Sequence, residues 1–326
     1  MTKHFIEYLL TAAMAVMTAQ SCVSKIDPIF DESSANRVEA LAERLNETLT
    51  GAPNGWLLEY YPSSGQYYGG FNVFLSFSEG NKVKVGSEVA GKGKTATSTY
   101  SIYQSAGCVL TLDTYNEVMH YFADPETTGG QGAGFGFEGD FEFNVLDLQD
   151  EKITLKGRKT GSTMTMTPMP VSMSWDDYIV ALKEEESAIS KHTRIRYQTA
   201  DNKYDGRING RTLEIFSEVD GEQVTTSYPF IFNLMGVTFY KPLELGDERI
   251  DGLVYNPDMA DGGAFIPVND GAEGYFVPTY PTITDYLMDK NWFFSYKGLS
   301  DYCKKLWDKA AESLKAAGDN ITYCYL

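Results

Sequence analysis

His120 and His192 are the only imidazoles beyond the first four residues of this 326-residue chain, so general acid–base chemistry has few starting points. His120 lies close after Asp113, where a carboxylate partner could orient it, although a structural strand histidine is the plainer reading. No His-Glu-x-x-His helix, Cys-x-x-Cys pair or Gly-x-Ser-x-Gly elbow occurs. Gly132-Ala133-Gly134-Phe135-Gly136 has the glycines of a phosphate loop but runs into an expected strand instead of a helix. Gly91-Lys92-Gly93-Lys94-Thr95 is out of register for a P-loop and reads as a basic loop. Asp201 to Thr212 has an Asp-Gly step like a calcium loop, yet Lys203 and Thr212 stand where oxygen ligands are needed, so a hairpin turn is expected. Carboxylates are plentiful enough for glycoside hydrolysis, but nothing singles out a pair. No cofactor or metal site is read.

Aromatic rings offer a different chemistry. Tyr60, Tyr61, Tyr67 and Tyr68 flank Gly65 and Gly69-Gly70, and Tyr275, Phe276 and Tyr280 sit among Pro278 and Pro281. Rings on turns can stack on sugar faces or anchor partners, with large contact area at small entropy cost; use in the core is the alternative. Tyr67, Tyr68, Tyr115 and His120 are therefore the candidate ligand-binding residues.

The elements that must position them follow from periodicity. Val38, Leu41, Ala42, Leu45 and Leu49 form a helical stripe over Asp31 to Leu49, ended by Gly51 and Pro53. From Trp56 the period changes to two. Strands are expected at Trp56–Tyr61, Phe71–Phe77, Val83–Val85, Tyr100–Tyr103, Val109–Leu112, Glu117–Phe122, Phe141–Leu148, Ile153–Leu155 and Thr163–Thr167. The glycine-rich stretch Thr127 to Gly139 reads as a loop. Pro168-Met169-Pro170 marks a junction. Ser174 and Asp177 then make a capping box for a second helix buried through Trp175, Tyr178, Ile179 and Leu182. Strands resume at Arg194–Gln198, Thr212–Ser217, Tyr228–Leu234, Val237–Tyr240, Ile250–Tyr255 and Ala264–Val268. Trp292–Tyr296 is a further strand. A third helix, capped by Ser300, carries Cys303, Leu306, Trp307, Ala310 and Leu314 on one face. Ile321–Leu326 ends the chain as a strand. Leu146–Ile153 is echoed by Leu243–Ile250, strand, acidic turn, strand, which suggests duplicated modules.

The expected fold is therefore mainly β (α+β): two tandem antiparallel β-sheet or barrel-like modules, each preceded by an amphipathic helix, plus a C-terminal helix. The boundaries are 1–21 for a signal peptide, 22–30 for a tether, 31–168 for the first module and 169–326 for the second.

Lys3 and His4 precede the apolar run Phe5 to Ala19, too short for a span of about 20 residues, and Ala19-Gln20-Ser21 leads to Cys22. That is the layout of a cleaved lipoprotein leader with Cys22 as the acylated residue. Three cysteines follow. Cys108 reads as a small core residue, while Cys303 and Cys324 either pair or remain thiols. A net charge of −18 argues against nucleic acid and against a polybasic membrane contact.

Ala52-Pro53-Asn54-Gly55-Trp56-Leu57-Leu58-Glu59-Tyr60-Tyr61, Tyr68-Gly69-Gly70-Phe71, Thr114-Tyr115-Asn116-Glu117, His120-Tyr121-Phe122, Gly139–Phe143 and Gly236–Leu243, together with Cys22, resemble lipoproteins of the Bacteroidetes phylum built on a domain of unknown function. The resemblance implies an outer-membrane accessory role beside a TonB-dependent porin and its lipoprotein lid, and transfers no catalytic residue. The expected function is a lipid-anchored envelope accessory or binding protein of nutrient uptake, on the periplasmic or the cell-surface face. Its partners would be the membrane, a porin–lipoprotein complex and a glycan, with peptide or haem as second ligand choices. A surface hydrolase acting on polysaccharide or peptide is the alternative.

Overall fold

The computed structural model describes residues 34–126, 134–199, 202–219, 221–260, 262–269, 271–280, 293–294, 296–316, 318 and 324–325. The leader, Cys22, the tether and residues 127–133 of the glycine-rich stretch lie outside these.

Helix α1 (Ser34–Gly51) buries Leu45 and Leu49, with Val38, Leu41 and Ala42 packed beside them. Its last turn is satisfied from the barrel that follows: the Trp56 indole donates to the Leu49 carbonyl at 3.0 Å. Eight strands come next: β1 (Trp56–Tyr60), β2 (Phe71–Ser78), β3 (Lys82–Ser87), β4 (Thr95–Gln104), β5 (Cys108–Leu112), β6 (Glu142–Gln149), β7 (Lys152–Gly157) and β8 (Thr163–Pro168). They pair antiparallel in sequence order, and β8 returns to β1 to close a barrel. Inward residues such as Leu58, Val73, Val85, Leu110, Ile153 and Met166 fill it.

After a short helix α2 (Glu117–His120) between β5 and β6, helix α3 (Trp175–Ile189) starts the second unit, and Ser174 caps it through the Asp177 amide at 3.1 Å. Then come β9 (Arg194–Gln198), β10 (Lys203–Asn209), β11 (Thr212–Val219), β12 (Glu222–Asn233), β13 (Gly236–Leu245), β14 (Glu248–Asn256), β15 (Ala264–Pro267) and β16 (Tyr275–Pro278), which closes on β9 as a second barrel. A ribbon of β17 (Phe293–Phe294) with β18 (Cys324–Tyr325) and helix α4 (Asp301–Ala316) follow. Two helix-plus-barrel units and a C-terminal helix are the architecture that the hydrophobic periods predict. Among the described residues no helix is long and apolar enough to cross a membrane.

Several expectations need correction. Glu117–Phe122 is not a strand: α2 (Glu117–His120) forms because the Asn116 side chain accepts from the amides of Val118 and Met119, both at 3.2 Å. Asp201–Thr212 is not all turn. Its Lys203–Asn209 part is β10, hidden from pattern reading because its outer face is charged (Asp205 pairs with Arg196, Arg207 with Glu214). β16 and the outer half of β12 escape for similar reasons, one short and proline-bounded, the other polar. The echoed hairpins are β6–β7 and β13–β14, the sixth and seventh strands of one barrel but the fifth and sixth of the other. The repeat thus lies in the architecture, not in that local likeness. Cys108 is a buried free thiol, as expected, and Cys303 a free, exposed one.

The barrels are joined through β2, which is buried on both sides. Phe71, Val73, Leu75 and Phe77 enter the first core, whereas Phe74 belongs to the second, stacked on Trp175 at 5.5 Å and edge-on to Tyr178. Asn72, also turned outward, donates to the Phe232 carbonyl at 2.9 Å, and the Gly70 amide donates to the Phe230 carbonyl at 3.0 Å. Arg211, from the β10–β11 turn, crosses the same seam. Its guanidinium grips both oxygens of Glu88 at 3.0 and 3.1 Å and donates to the Gly70 carbonyl at 2.6 Å and to Glu186 at 3.1 Å. It also lies over the rings of Phe71 (4.5 Å) and Phe232 (5.0 Å). Gly69, at φ 68°, permits the approach, since a Cβ there would fall 2.3 Å from Arg211 Cβ.

Breaking one partner of a buried ion pair leaves an uncompensated charge, at a cost of about 3–5 kcal/mol. Arg211→Met is therefore expected to lower the urea midpoint sharply, Glu88→Gln less so, and the double-mutant cycle to return a coupling of about 1–3 kcal/mol. An effect no larger than that of the exposed Arg196→Met would remove the ion pair from its role at the seam.

Candidate functional site

A cleft of about 1050 Å³ opens where the barrels meet. One bank is the loop between β1 and β2. There Ser63 and Gln66 hold positive φ values of 63° and 51°, and the Gln66 amide is tied to the Ser64 carbonyl (2.8 Å) and Ser162 Oγ (3.0 Å). Non-glycine residues stay in that region only where their surroundings over-determine them. The result sets Tyr67 at the rim, 66% exposed, and Tyr68 half-buried beside it. The Tyr68 hydroxyl donates to the Gly136 carbonyl at 3.3 Å, and its ring meets Phe137 edge-on at 5.0 Å.

The opposite bank comes from a split in the second barrel that has a cause in the sequence. β12 and β13 pair from Asn233↔Gly236 to Phe230↔Phe239 and then separate. Around a two-residue turn the bonded rungs alternate, so the next two would join Pro229 to Tyr240 and Ser227 to Pro242. Each contains a proline, which has no N–H to give. β12 continues outward paired only to β11, and Thr226, Ser227 and Tyr228 face Tyr240 and Glu244 across the gap. The Tyr228 hydroxyl reaches the Glu244 carbonyl at 3.4 Å, and Tyr240 is fixed by the Thr163 amide donating to its hydroxyl at 2.9 Å. Arg211 and Phe71 also contribute to the lining, so the interbarrel ion pair sits in the wall of the cleft.

The walls are thus tyrosine rings with amide and hydroxyl groups between them, from Asn209, Thr212, Thr226 and Ser227. Glu214 is held by Arg207 (2.6 Å) and Asn209 (3.2 Å). Among the described residues no histidine or cysteine lines the cleft, and no group of three or more His, Cys, Asp or Glu side chains converges.

Tyr67 and Tyr68 therefore share the cleft, whereas Tyr115 and His120 lie elsewhere. The His120 ring stacks on Phe141 at 4.7 Å and meets Tyr115 at 5.0 Å, with Nδ1 turned to the Asn116 carbonyl at 3.1 Å. Asp113 is not its partner: that carboxylate accepts from Ser101 Oγ at 2.8 Å. The basic loop Gly91–Thr95 gives its Gly93 amide to Asp176 at 2.7 Å, a docking contact for the start of α3. Sequence reasoning passed over Tyr228, Tyr240 and Arg211. The usable signal for the first two was a proline beside each ladder position, Pro229 and Pro242.

A smaller cleft of about 400 Å³ shares Tyr240 and Lys241 with the first and contains Glu59, Tyr61 and Thr238. Burial lifts the Glu59 carboxyl above the ordinary carboxylate range, with Lys152 pulling partly back. Burial also holds the Tyr61 hydroxyl well above its usual value, reinforced by Glu59 and Tyr240 and opposed by Arg211.

Two outcomes follow from this geometry. Pro229→Thr with Pro242→Thr supplies the missing donors, so amide exchange at Ser227 and Tyr240 should slow by about fivefold as new bonds of about 1 kcal/mol form; unchanged exchange would mean that the prolines do not cause the split. Because the folded state prefers Glu59 protonated, its ionisation costs stability at neutral pH, and that cost fades as pH falls through the raised pKa to the ordinary one. Glu59→Gln should accordingly raise the urea midpoint at neutral pH, and the gain should vanish in acid; a gain that is the same at every pH excludes burial of the charge as its source.

No curated protein and no solved structure matches the chain. A family described as a domain of unknown function, DUF4302, matches residues 26–257, which takes in the whole first barrel and the second through the end of β14. With more than two thirds of its length matched, the chain belongs to the DUF4302 family.

Proposed function

We propose that this protein is a lipid-anchored binding protein of the bacterial outer membrane, held through Cys22, and that the cleft between its barrels takes a glycan in the course of nutrient uptake. The observation that carries the ligand reading is the wall of the large cleft: Tyr67, Tyr68, Tyr228 and Tyr240 among the hydroxyls and amides of Asn209, Thr212, Thr226 and Ser227. Rings bind the apolar faces of pyranoses, and alternating hydroxyls and amides bond their edges. The anchor reading rests on the leader sequence and Cys22, and the uptake role on the resemblance to Bacteroidetes lipoproteins. A porin–lipoprotein complex is the partner that this role calls for.

Hydrolysis is the competing reading, and among the described residues Glu214 and Glu244 are the carboxylates of the cleft on which it would depend. Incubation with soluble polysaccharides followed by product analysis separates cutting from binding.

On an oligosaccharide array, the chain beginning at Val23 is expected to bind, with Tyr67→Ala and Tyr68→Ala each weakening binding by about tenfold, the loss of one stacked ring. Tyr115→Ala should leave it unchanged, since that ring lies outside the cleft. Equal losses in all three, or none, would move the site elsewhere. Palmitate incorporation that disappears in Cys22→Ser is the matching result for the anchor.

A further inference from the structure

Helix α4 buries none of its side chains. Among the described residues no hydrogen bond, ion pair or ring contact joins it to either barrel. It leans instead on the turn before it, where the Tyr296 hydroxyl meets Asp308 at 3.1 Å and the Tyr296 and Trp307 rings stand 6.4 Å apart. Yet its sequence is sharply two-faced. Advancing about 100° per residue, Cys303, Leu306, Trp307, Ala310 and Leu314 gather on one side. Leu306 is 53% exposed and Leu314 38% exposed. A stripe meant for a protein core is buried by that core; this one is not.

The charges indicate what covers it. Asp301, Asp308 and Glu312 cluster at the pole opposite the apolar face, while Lys304 and Lys309 stand on its two borders, with Lys305 and Lys315 just behind. A border lysine can lay its methylene stem along an apolar surface and lift its ammonium to a headgroup phosphate. Four lysines in 16 residues also reverse the sign of a chain that is otherwise strongly acidic. Trp307 and Tyr302 are side chains suited to the boundary between headgroups and acyl chains.

We infer that α4 docks on an anionic lipid surface, with Leu306, Trp307, Ala310 and Leu314 at the acyl boundary and the border lysines on phosphates. The contact is independent of Cys22, so it stands or falls apart from the proposed anchor and from the glycan cleft.

The test uses the chain beginning at Val23, which keeps every described residue and carries no acylated cysteine, with vesicles of equal parts phosphatidylglycerol and phosphatidylcholine. The chain should sediment with these vesicles, and Trp307 emission, read against Trp307→Phe, should shift to the blue. Leu306→Glu and Leu314→Glu should each weaken partitioning by about tenfold or more. Lys304→Ser with Lys309→Ser should weaken it by about tenfold on these vesicles and leave the weak binding to pure phosphatidylcholine unchanged. All four positions are exposed or half-buried on a helix that packs on neither core, so unaltered urea midpoints will confirm that the variants fold. Absence of a Trp307 shift, partitioning insensitive to Leu306→Glu, or a dimer that Leu306→Glu dissociates while vesicles bind nothing would each overturn the inference, the last in favour of a second copy of the chain on this face.

Discussion

The pairing of Arg211 with Glu88 is the constraint on which the arrangement of this molecule depends. A buried carboxylate is tolerable only with a partner and bonds for its remaining lone pairs. Glu88 has both: the guanidinium on its two oxygens and the Asn72 amide on one of them at 2.6 Å. Arg211 in turn spends its donors on Glu88, Gly70 and Glu186 and its faces on two phenylalanine rings. One residue thereby fixes a loop of the first barrel, the helix that opens the second unit and the cores of both.

From that junction the cleft follows. The β1–β2 loop, pinned by the contact of Gly69 and Gly70 with Arg211 and Phe230, carries Tyr67 and Tyr68 to one bank. On the other, a barrel that is closed by hydrogen bonds at its β12–β13 turn comes apart two rungs later because two prolines occupy consecutive bonding positions. Closure removes strand edges, and the local split between β12 and β13 restores them there. The backbone freed there and the rings around it form a polar, aromatic groove of a kind that neither barrel makes alone.

The chain divides its charge unevenly. Both barrels belong to a strongly acidic polypeptide, and such a charge balance favours solubility. The C-terminal helix reverses the sign locally and shows its apolar stripe to the outside. The ligand proposed for the groove and the surface proposed for this helix call on different physics, ring stacking with directed hydrogen bonds in one case, partition and headgroup attraction in the other.

The sequence alone determined the class of the fold, because a switch from a 3.6-residue to a two-residue period depends only on which face of each element meets a core. It gave the caps at Ser174 and Ser300, the closing of α1 at Gly51, and the β-rich modules after each helix. It could also place Tyr67 and Tyr68 on a turn among glycines. It could not see that His120 would be taken up by a helical turn between Tyr115 and Phe141, since Asn116 caps as readily as it sits in a strand. Nor could it show β10, whose outer face is charged and whose inner one is interrupted by Gly206. The meeting of Arg211 with Glu88, more than a hundred residues apart, was decided only in three dimensions. So was the gathering of Tyr67 and Tyr68 with Tyr228 and Tyr240: local pattern fixes which way a side chain leaves its own strand, and only the packing of one barrel on another fixes what it meets there.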